Sequence, residues 1–357
     1  MARAARFGLS LTLLTSDRKP SFHMAPDTET DLHQRSRWHD PALPLRIGVS
    51  TCLLGEAVRY DKGHAKNRFV TDTLSRWFDF VPVCPEVEVG MGIPRPTIRL
   101  VEREGEVRLV APSTGEDFTD VMAAYAEKKV TQLQKLDLDG YILKSRSPSC
   151  GMERIKVYLE NGMPAQTSDS GMFAAALKRQ WPALPLEEEG RLNDHRLREN
   201  FIERVFCRNR WRGLVAKGLS RRSLVEFHTA HKLLLLAHNE AAYRRMGKLV
   251  GSAGTIPDQD LFQQYELEFQ SALNSKATVR RHVNVLQHAM GHLKNKLQSR
   301  QKREILTAIQ DFADGILPLI VPMTLMRYNI RHFDVEYLMG QLYFDPHPKE
   351  LMLRNHA

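Results

Sequence analysis

Apolar and polar positions change rhythm once along this chain. Up to about residue 192, short apolar runs alternate with longer periodic stretches. Residues 45–50 (LRIGVS) are a compact apolar run ending in small residues, which predicts a buried strand. Asn67 to Phe78 repeats its apolar positions at helical spacing, and residues 78–84 (FDFVPVC) read as a second strand stopped by Pro85. Residues 98–102 and 107–111 flank an Arg-Glu-Gly-Glu turn and predict a hairpin. Asp117 to Lys135 is amphipathic, with Phe118, Val121, Met122, Tyr125, Val130 and Leu133 on its apolar side. Residues 140–147 (GYILKSRS) predict a third core strand, 169–181 a helix with Ser168 as N-cap, and 184–192 a short strand and turn. Beyond 192 helical periods take over, predicting helices at 193–212, 220–249, 258–274, 277–298, 301–314, 317–330 and 334–343.

This pattern predicts an α/β N-terminal domain with a mostly parallel sheet, followed by an all-α helical domain. The expected units are a disordered extension over 1–43, the α/β domain over 44–200 and the helical domain over 201–357. A length of 357 residues suits two domains, and 42% apolar with 26% charged residues is a globular composition. No run of about 18 apolar residues occurs, so no membrane span is expected and the chain reads as cytoplasmic. Arg3, Arg6 and the apolar run Phe7–Leu14 imitate a secretory signal only weakly, without an Ala-x-Ala site, and Met24 is a second candidate start.

Charge separates the two halves. The net charge is +9, and residues 201–357 carry all of it, with 23 basic against 14 acidic residues. Residues 276–303 hold Lys276, Arg280, Arg281, Lys294, Lys296, Arg300, Lys302 and Arg303 without one Asp or Glu. Such a face attracts phosphate, or is simply solvated. His288 and His292 stand four apart on one predicted face, as a metal pair or as polar packing. His228, His231 and His238 surround the apolar run Leu233–Leu236, which predicts a deeply buried helix.

Four cysteines in 357 residues exclude a disulfide scaffold. Three sit at the carboxyl ends of predicted parallel strands, where α/β folds gather their ligands: Cys52, Cys84 and Cys150. Each alone reads as a small buried hydrophobe. Their loop settings, beside Gly55, Pro85-Glu86 and Gly151, argue instead for thiolates converging on a cofactor. Without a Cys-x-x-Cys pair a local zinc knuckle does not fit, whereas separated cysteines suit an iron–sulfur cluster, and three ligands leave one of four irons open. Zinc on the three thiols is a weaker option. Cys207 lies apart, in a predicted helix.

At this point residues 45–192 resemble the thiouracil desulfurase family. The resemblance rests on six segments in order: Ser50-Thr51-Cys52-Leu53-Leu54-Gly55, Val58-Arg59-Tyr60-Asp61, Val83-Cys84-Pro85-Glu86, Gly92-Ile93-Pro94-Arg95, Leu143-Lys144 with Ser147-Pro148-Ser149-Cys150-Gly151, and Leu186 through Leu192. Lys62 departs from the small residue, usually Gly, expected after Arg-Tyr-Asp. The resemblance implies a 4Fe–4S cluster on Cys52, Cys84 and Cys150, and non-redox removal of sulfur from a thiolated pyrimidine. Glu86 is the candidate general base. Ser147 and Ser149 are candidates to bind substrate or orient water, and Arg59, Tyr60, Asp61 and Arg95 to line the pocket. An ion pair to an acidic loop is the other reading of Arg95, and Glu187–Glu189 read as a solvated charge run. The later segment, from His231-Lys232 to Gly291, resembles a YbgA-like helical domain, to which no activity attaches. Arg280, Arg281, Lys294, Lys296 and Arg300 are the candidates to hold tRNA or a nucleotide phosphate. The rival readings are a redox or dehydratase-type iron–sulfur enzyme, and a nucleic-acid-binding or stress-response protein with a structural or sensing cluster.

Overall fold

The computed structural model describes Trp38 and residues 43–355. The expected extension over 1–43 lies otherwise outside the described residues. Trp38 packs edge-on against Phe227 at 5.4 Å between ring centroids.

In chain order the strands are β1 (Arg46–Ser50), β2 (Asp79–Val83), β3 (Arg99–Arg103), β4 (Glu106–Val110), β5 (Gly140–Leu143), β6 (Ile155–Leu159), β7 (Pro164–Asp169) and β8 (Leu186–Glu188). The helices are α1 (Thr119–Gln134), α2 (Met172–Gln180), α3 (His195–Ala216), α4 (Arg221–His238), α5 (Glu240–Gly251), α6 (Asp258–Asn274), α7 (Val279–Leu293), α8 (Ser299–Ala313) and α9 (Ile320–His332). The first sheet has the order β2-β1-β5-β8 and is parallel throughout. Both of its faces are covered, which is why its strands read as apolar runs without alternation. On one face Val83, Tyr141 and Leu143 pack against Ala126 and Val130 of α1 and Phe173 and Leu177 of α2. On the other, Ile47, Val49 and Ile142 meet Phe201, Ile202, Val205 and Phe206 of α3. The predicted α/β class with a following helical region is what the structure shows. Cys207 and Trp211, further along α3, enter the core of the helical region instead. One helix thus serves both units.

The structure corrects several local expectations. A second sheet, β4-β3-β6-β7, was not anticipated beyond its hairpin. In β6 only Ile155 and Val157 point inward, and β7 is exposed and polar, so neither makes an apolar run. Ser168 lies within β7, and α2 starts after Gly171 rather than at a Ser168 cap. Asn67–Phe78 folds as a π-helical turn, Phe69–Thr73, followed by a 3-10 turn. The predicted helix 220–249 is broken by Asn239, whose side chain caps α5 by accepting from the Ala242 N–H at 3.0 Å. The segment 334–343 is helical only over Glu336–Met339. The predicted hairpin forms, closed by Glu104 and Gly105, both at positive φ, the backbone that a two-residue turn matched to strand twist requires.

Candidate functional site

Parallel neighbours end side by side. Ser50 of β1 pairs in register with Val83 of β2, and Val49 with Ile142 of β5, so three strand ends open onto one edge. Each leads into a cysteine. Cys52 follows β1 in a 3-10 turn, Thr51–Leu54, closed by Gly55 at φ +98°. Cys84 follows β2 and precedes a single helical turn, Pro85–Glu88. Cys150 ends the loop after β5 and is buried, whereas Cys52 and Cys84 are half-buried.

The three thiols feel one another. Burial, then the charge of Cys84, pushes the Cys52 thiol up to about 11. Burial raises Cys84, with Glu86 and Glu88 adding to it. Burial, followed by Glu86, raises Cys150 well above the ordinary thiol value, with Cys84 and Cys52 also contributing. As free thiols all three stay protonated at neutral pH, and a bound cation is what converts such groups to thiolates. The donor chemistry narrows the kind of cation. Among the described residues Glu199, Glu203 and His347 bring three ligand atoms within 4.8 Å of one another, but that set is oxygen and nitrogen. An all-thiol set drawn from three separate loops suits an iron–sulfur cluster.

Glu86 stands beside this set. Its Oε1 accepts from the Ser149 hydroxyl at 3.0 Å and the Ser147 hydroxyl at 3.4 Å. Its Oε2 accepts from Arg95 Nε at 2.9 Å and Nη2 at 2.6 Å. Of the two readings of Arg95, the ion pair is the one the structure displays. The Arg95 side chain is 3% exposed, and its Nη1 donates to the backbone oxygens of Val58 and Gly92. The Ser147 hydroxyl also accepts from the Cys150 N–H at 3.1 Å, which ties Glu86, Ser147 and Cys150 into one unit.

Arg59, Tyr60 and Asp61 form an outer rim. Arg59 lies over the Tyr60 ring at 5.4 Å and contacts Asp61 at 3.4 Å, while the Arg95 N–H donates to the Tyr60 carbonyl. Lys62 adopts φ 61°, the left-handed region. That explains why Gly is expected there, and a lysine in this backbone costs about 1–3 kcal/mol.

Glu187–Glu189 are not the solvated run expected. They are 4%, 7% and 8% exposed, because β8 pairs with buried β5. Glu189 instead pairs with Lys144 at 2.6 Å.

The helical region holds a different constellation. Glu199 and Glu203, one turn apart on α3, both face Arg354 near the C-terminus, at 3.0 and 2.6 Å. His238 Nε2 stands 2.9 Å from the other Glu203 oxygen. All four are buried. The spacing of Glu199 and Glu203 within an apolar helix face was the available signal, but their partner lies more than 150 residues away. His228 and His231 are buried on α4, as its apolar run predicts. Among the basic candidates, Arg280 and Lys294 are exposed, Arg300 is exposed and pairs with Glu304, Lys296 donates to the Phe333 carbonyl and Arg281 to the His238 carbonyl. His292 stacks near Tyr337 at 4.7 Å, His288 is exposed, and Cys207 is buried against Arg210.

The sheet domain matches a known family. The profile of 2-thiouracil desulfurase aligns with residues 47–189, a span that contains all three cysteines and Glu86. An uncharacterized protein, YbbK of Bacillus subtilis (strain 168), is 30% identical over 155 residues, covering 42% of this chain and 98% of YbbK. The chain belongs to the 2-thiouracil desulfurase family. Its helical part matches a protein family of unknown function, DUF1722, over residues 232–348. An uncharacterized protein, YbgA of Escherichia coli (strain K12), is 27% identical over 165 residues, covering 46% of this chain and 98% of YbgA. The expected fusion of a desulfurase-family domain with a YbgA-like domain is therefore present. Among solved structures, the [4Fe-4S]-dependent thiouracil desulfidase TudS is 32% identical, covering 42% of this chain and 94% of its own, with a TM-score of 0.34.

Proposed function

We propose that this chain converts the C=S group of a thiolated pyrimidine to C=O by hydrolysis, releasing hydrogen sulfide, with no net redox change. One observation carries the reading. Three thiols converge at adjacent strand ends, and a hydrogen-bonded carboxylate, Glu86, stands within the same unit.

On this reading Cys52, Cys84 and Cys150 hold a 4Fe–4S cluster. The fit lies in the all-thiol donor set, carried on three loops that leave adjacent strand ends. Bound there with one iron open, the cluster supplies a thiophilic Lewis acid that polarises the C=S bond.

The remaining chemistry belongs to side chains. Glu86 Oε1 takes a proton from the attacking water and returns it to the departing sulfur, which leaves as hydrogen sulfide with the second water proton. Arg95 occupies Oε2, so only Oε1 is presented, and it acts through Glu86 rather than on substrate. Ser147 and Ser149 orient Oε1 and turn a hydroxyl toward the substrate as the proton moves. Arg59, Tyr60 and Asp61 border the entrance, where a pyrimidine ring can stack on the exposed Tyr60.

We assign this chemistry to an α/β unit over 44–200. The helical unit over 201–357 would draw in a phosphate-bearing substrate, a nucleotide or tRNA, through Arg280, Lys294 and Arg300 with Arg281 and Lys296 in support. A base within tRNA must be unstacked to reach the strand ends. Among the described residues no helix is long and apolar enough to cross a membrane. An oxygen-sensitive cluster and reduced thiols suit the cytoplasm.

The test is sulfide release from thiouracil, thiouridine monophosphate and thiolated tRNA by anaerobically purified protein, alongside its iron and acid-labile sulfide content. We expect turnover without added reductant, and a Glu86→Gln variant with unchanged iron but kcat lower by about 10²–10⁴-fold. Iron-loaded protein that releases no sulfide, yet binds tRNA, overturns the enzyme in favour of a binding protein. A strict need for reductant favours the redox reading.

A further inference from the structure

The loop from Lys144 to Glu153 carries Ser147, Ser149 and Cys150, and nothing in it is a helix or a strand. A loop that must hold a thiol and two hydroxyls in register needs outside support. That support comes from the three consecutive glutamates at the end of β8, each reaching a different point. Glu189 takes the start of the loop. Its Oε2 accepts from the Ser145 N–H at 2.6 Å, and its Oε1 from the Ser145 hydroxyl at 2.8 Å and Lys144 Nζ at 2.6 Å. Glu188 takes the far side, where its Oε1 accepts from the Met152 N–H at 2.7 Å, two residues beyond Cys150. Glu187 reaches the end by relay, because it holds Arg191 Nε at 2.6 Å and Arg191 Nη1 holds Glu153 at 2.6 Å.

Burying three neighbouring carboxylates is costly, and a fold does not need them to end a strand. Acceptor-only groups are, however, suited to capturing the free N–H groups of an irregular loop. The cost is met partly from the helical region. Arg204 of α3 is buried, its Nε has no hydrogen-bond partner, and its charge acts on Glu187.

We infer that Glu187, Glu188 and Glu189 are positioning residues that clamp the Cys150 loop at its start, far side and end. The importance of the clamp for chemistry rests on the reading of Cys150 as a cluster ligand, but the clamp itself does not. Hydrogen bonding and charge make different predictions for conservative variants. Glu188 accepts only from backbone N–H groups, of Met152 and Glu153, so the glutamine carbonyl keeps the bond to Met152. Glu189 uses both oxygens, so glutamine keeps only part of the set.

The experiment is amide hydrogen exchange over 144–153 in the full chain, with the rate of iron loss to a chelator from loaded protein as a second readout. Glu188→Ala and Glu189→Ala should each speed exchange in this loop by about tenfold or more, with β1 and β5 unchanged. Glu188→Gln should stay within about threefold of wild type, with Glu189→Gln between the two. Iron loss should follow the same order. Unchanged loop exchange in both alanine variants overturns the clamp, and so does Glu188→Gln exchanging as fast as Glu188→Ala. Should the alanine variants not fold, Arg191→Lys breaks only the relay. Faster exchange at 152–154 then supports the clamp, and no change overturns it. Wild-type protein that takes up no iron overturns the proposed function, while the exchange measurement still decides the clamp.

Discussion

Two polar clusters lie within this chain, and they are built on opposite principles. At the strand ends, three thiols share a space with the carboxylate of Glu86, and burial and neighbouring charge push every thiol up. In the helical region, Glu199 and Glu203 meet Arg354 and His238, and each charge faces an opposite or hydrogen-bonding partner. Burial raises Glu203, but the Arg354 charge and the His238 hydrogen bond outweigh it and hold that carboxyl below its ordinary value. The second cluster is complete in itself, so it reads as a tie between α3, α4 and the C-terminal segment. The first gains most from a cation, so it reads as a site. Burial of polar groups is therefore a poor guide to function until their partners have been counted.

The sharpest way to break this contrast is to remove one member of each set. Cys150→Ser should lose bound iron and sulfide release altogether while the chain stays folded, whereas Cys207→Ser, in the helical core, should keep both. Iron analysis beside circular dichroism decides it. Arg354→Ala should do the reverse. It leaves Glu199 buried without its guanidinium and Glu203 with His238 alone, at a cost of about 3–5 kcal/mol, seen as a lower denaturation midpoint, with iron per folded chain unchanged. Arg354→Lys should recover only part, because one ammonium does not reproduce a guanidinium fork that holds two carboxylates. Iron lost with Arg354 and kept without Cys150 would invert the two assignments.

A smaller effect separates the regions by pH. Burial depresses His228 to about 4, His282 to about 3 and His347 to about 4. Between those values and about 6.5 the unfolded chain holds the protons and the folded chain does not, so stability falls as pH falls. Glu199 works the other way, since burial and then Glu203 raise its carboxyl and the folded state takes up its proton first. With His231, which burial also lowers, four lowered histidines outweigh one raised carboxyl. Stability of the helical region should fall from about pH 6.5 to about pH 4, by about 1.4 kcal/mol per pH unit for each net proton. A midpoint flat across that window would show that these histidines are already charged in the fold.

How far these features were legible depends on how local their causes are. β1 and β5 were readable because a doubly covered parallel strand is an apolar run, and β2, at the sheet edge, because Pro85 ends its run. Helix α6 matches its expected bounds, Asp258–Asn274, because its apolar period is uninterrupted. Cys52, Cys84, Cys150 and Glu86 were readable because each follows a strand in chain order. What stayed hidden depends on distant partners. Glu187–Glu189 look like a surface run until β8 is seen to pair with β5, and Arg354 is an ordinary tail residue until Glu199 and Glu203 are found opposite it. β7 escaped because an exposed edge strand, Pro164–Asp169, has no apolar side to show.

The finest test lies where the two regions share a helix. Asp194 caps α3 by accepting from the N–H groups of Arg196 and Leu197 at 2.9 and 3.0 Å. The backbone N–H of Leu197 is the main reason its carboxyl sits below the ordinary value. That contribution is therefore present above the unfolded carboxyl range, near pH 4, and fades as pH falls through the folded value. Asp194→Ala should cost about 1 kcal/mol at neutral pH, and Asp194→Ser much less. The first turn of α3 leads directly to Glu199, whereas the cysteines hang from the sheet. Fraying it should loosen the Glu199–Arg354 pair and leave iron content alone. Amide exchange that rises along residues 196–203 but not along 46–54 would be the expected signature, and equal rises in both would mean that α3 transmits strain to the site.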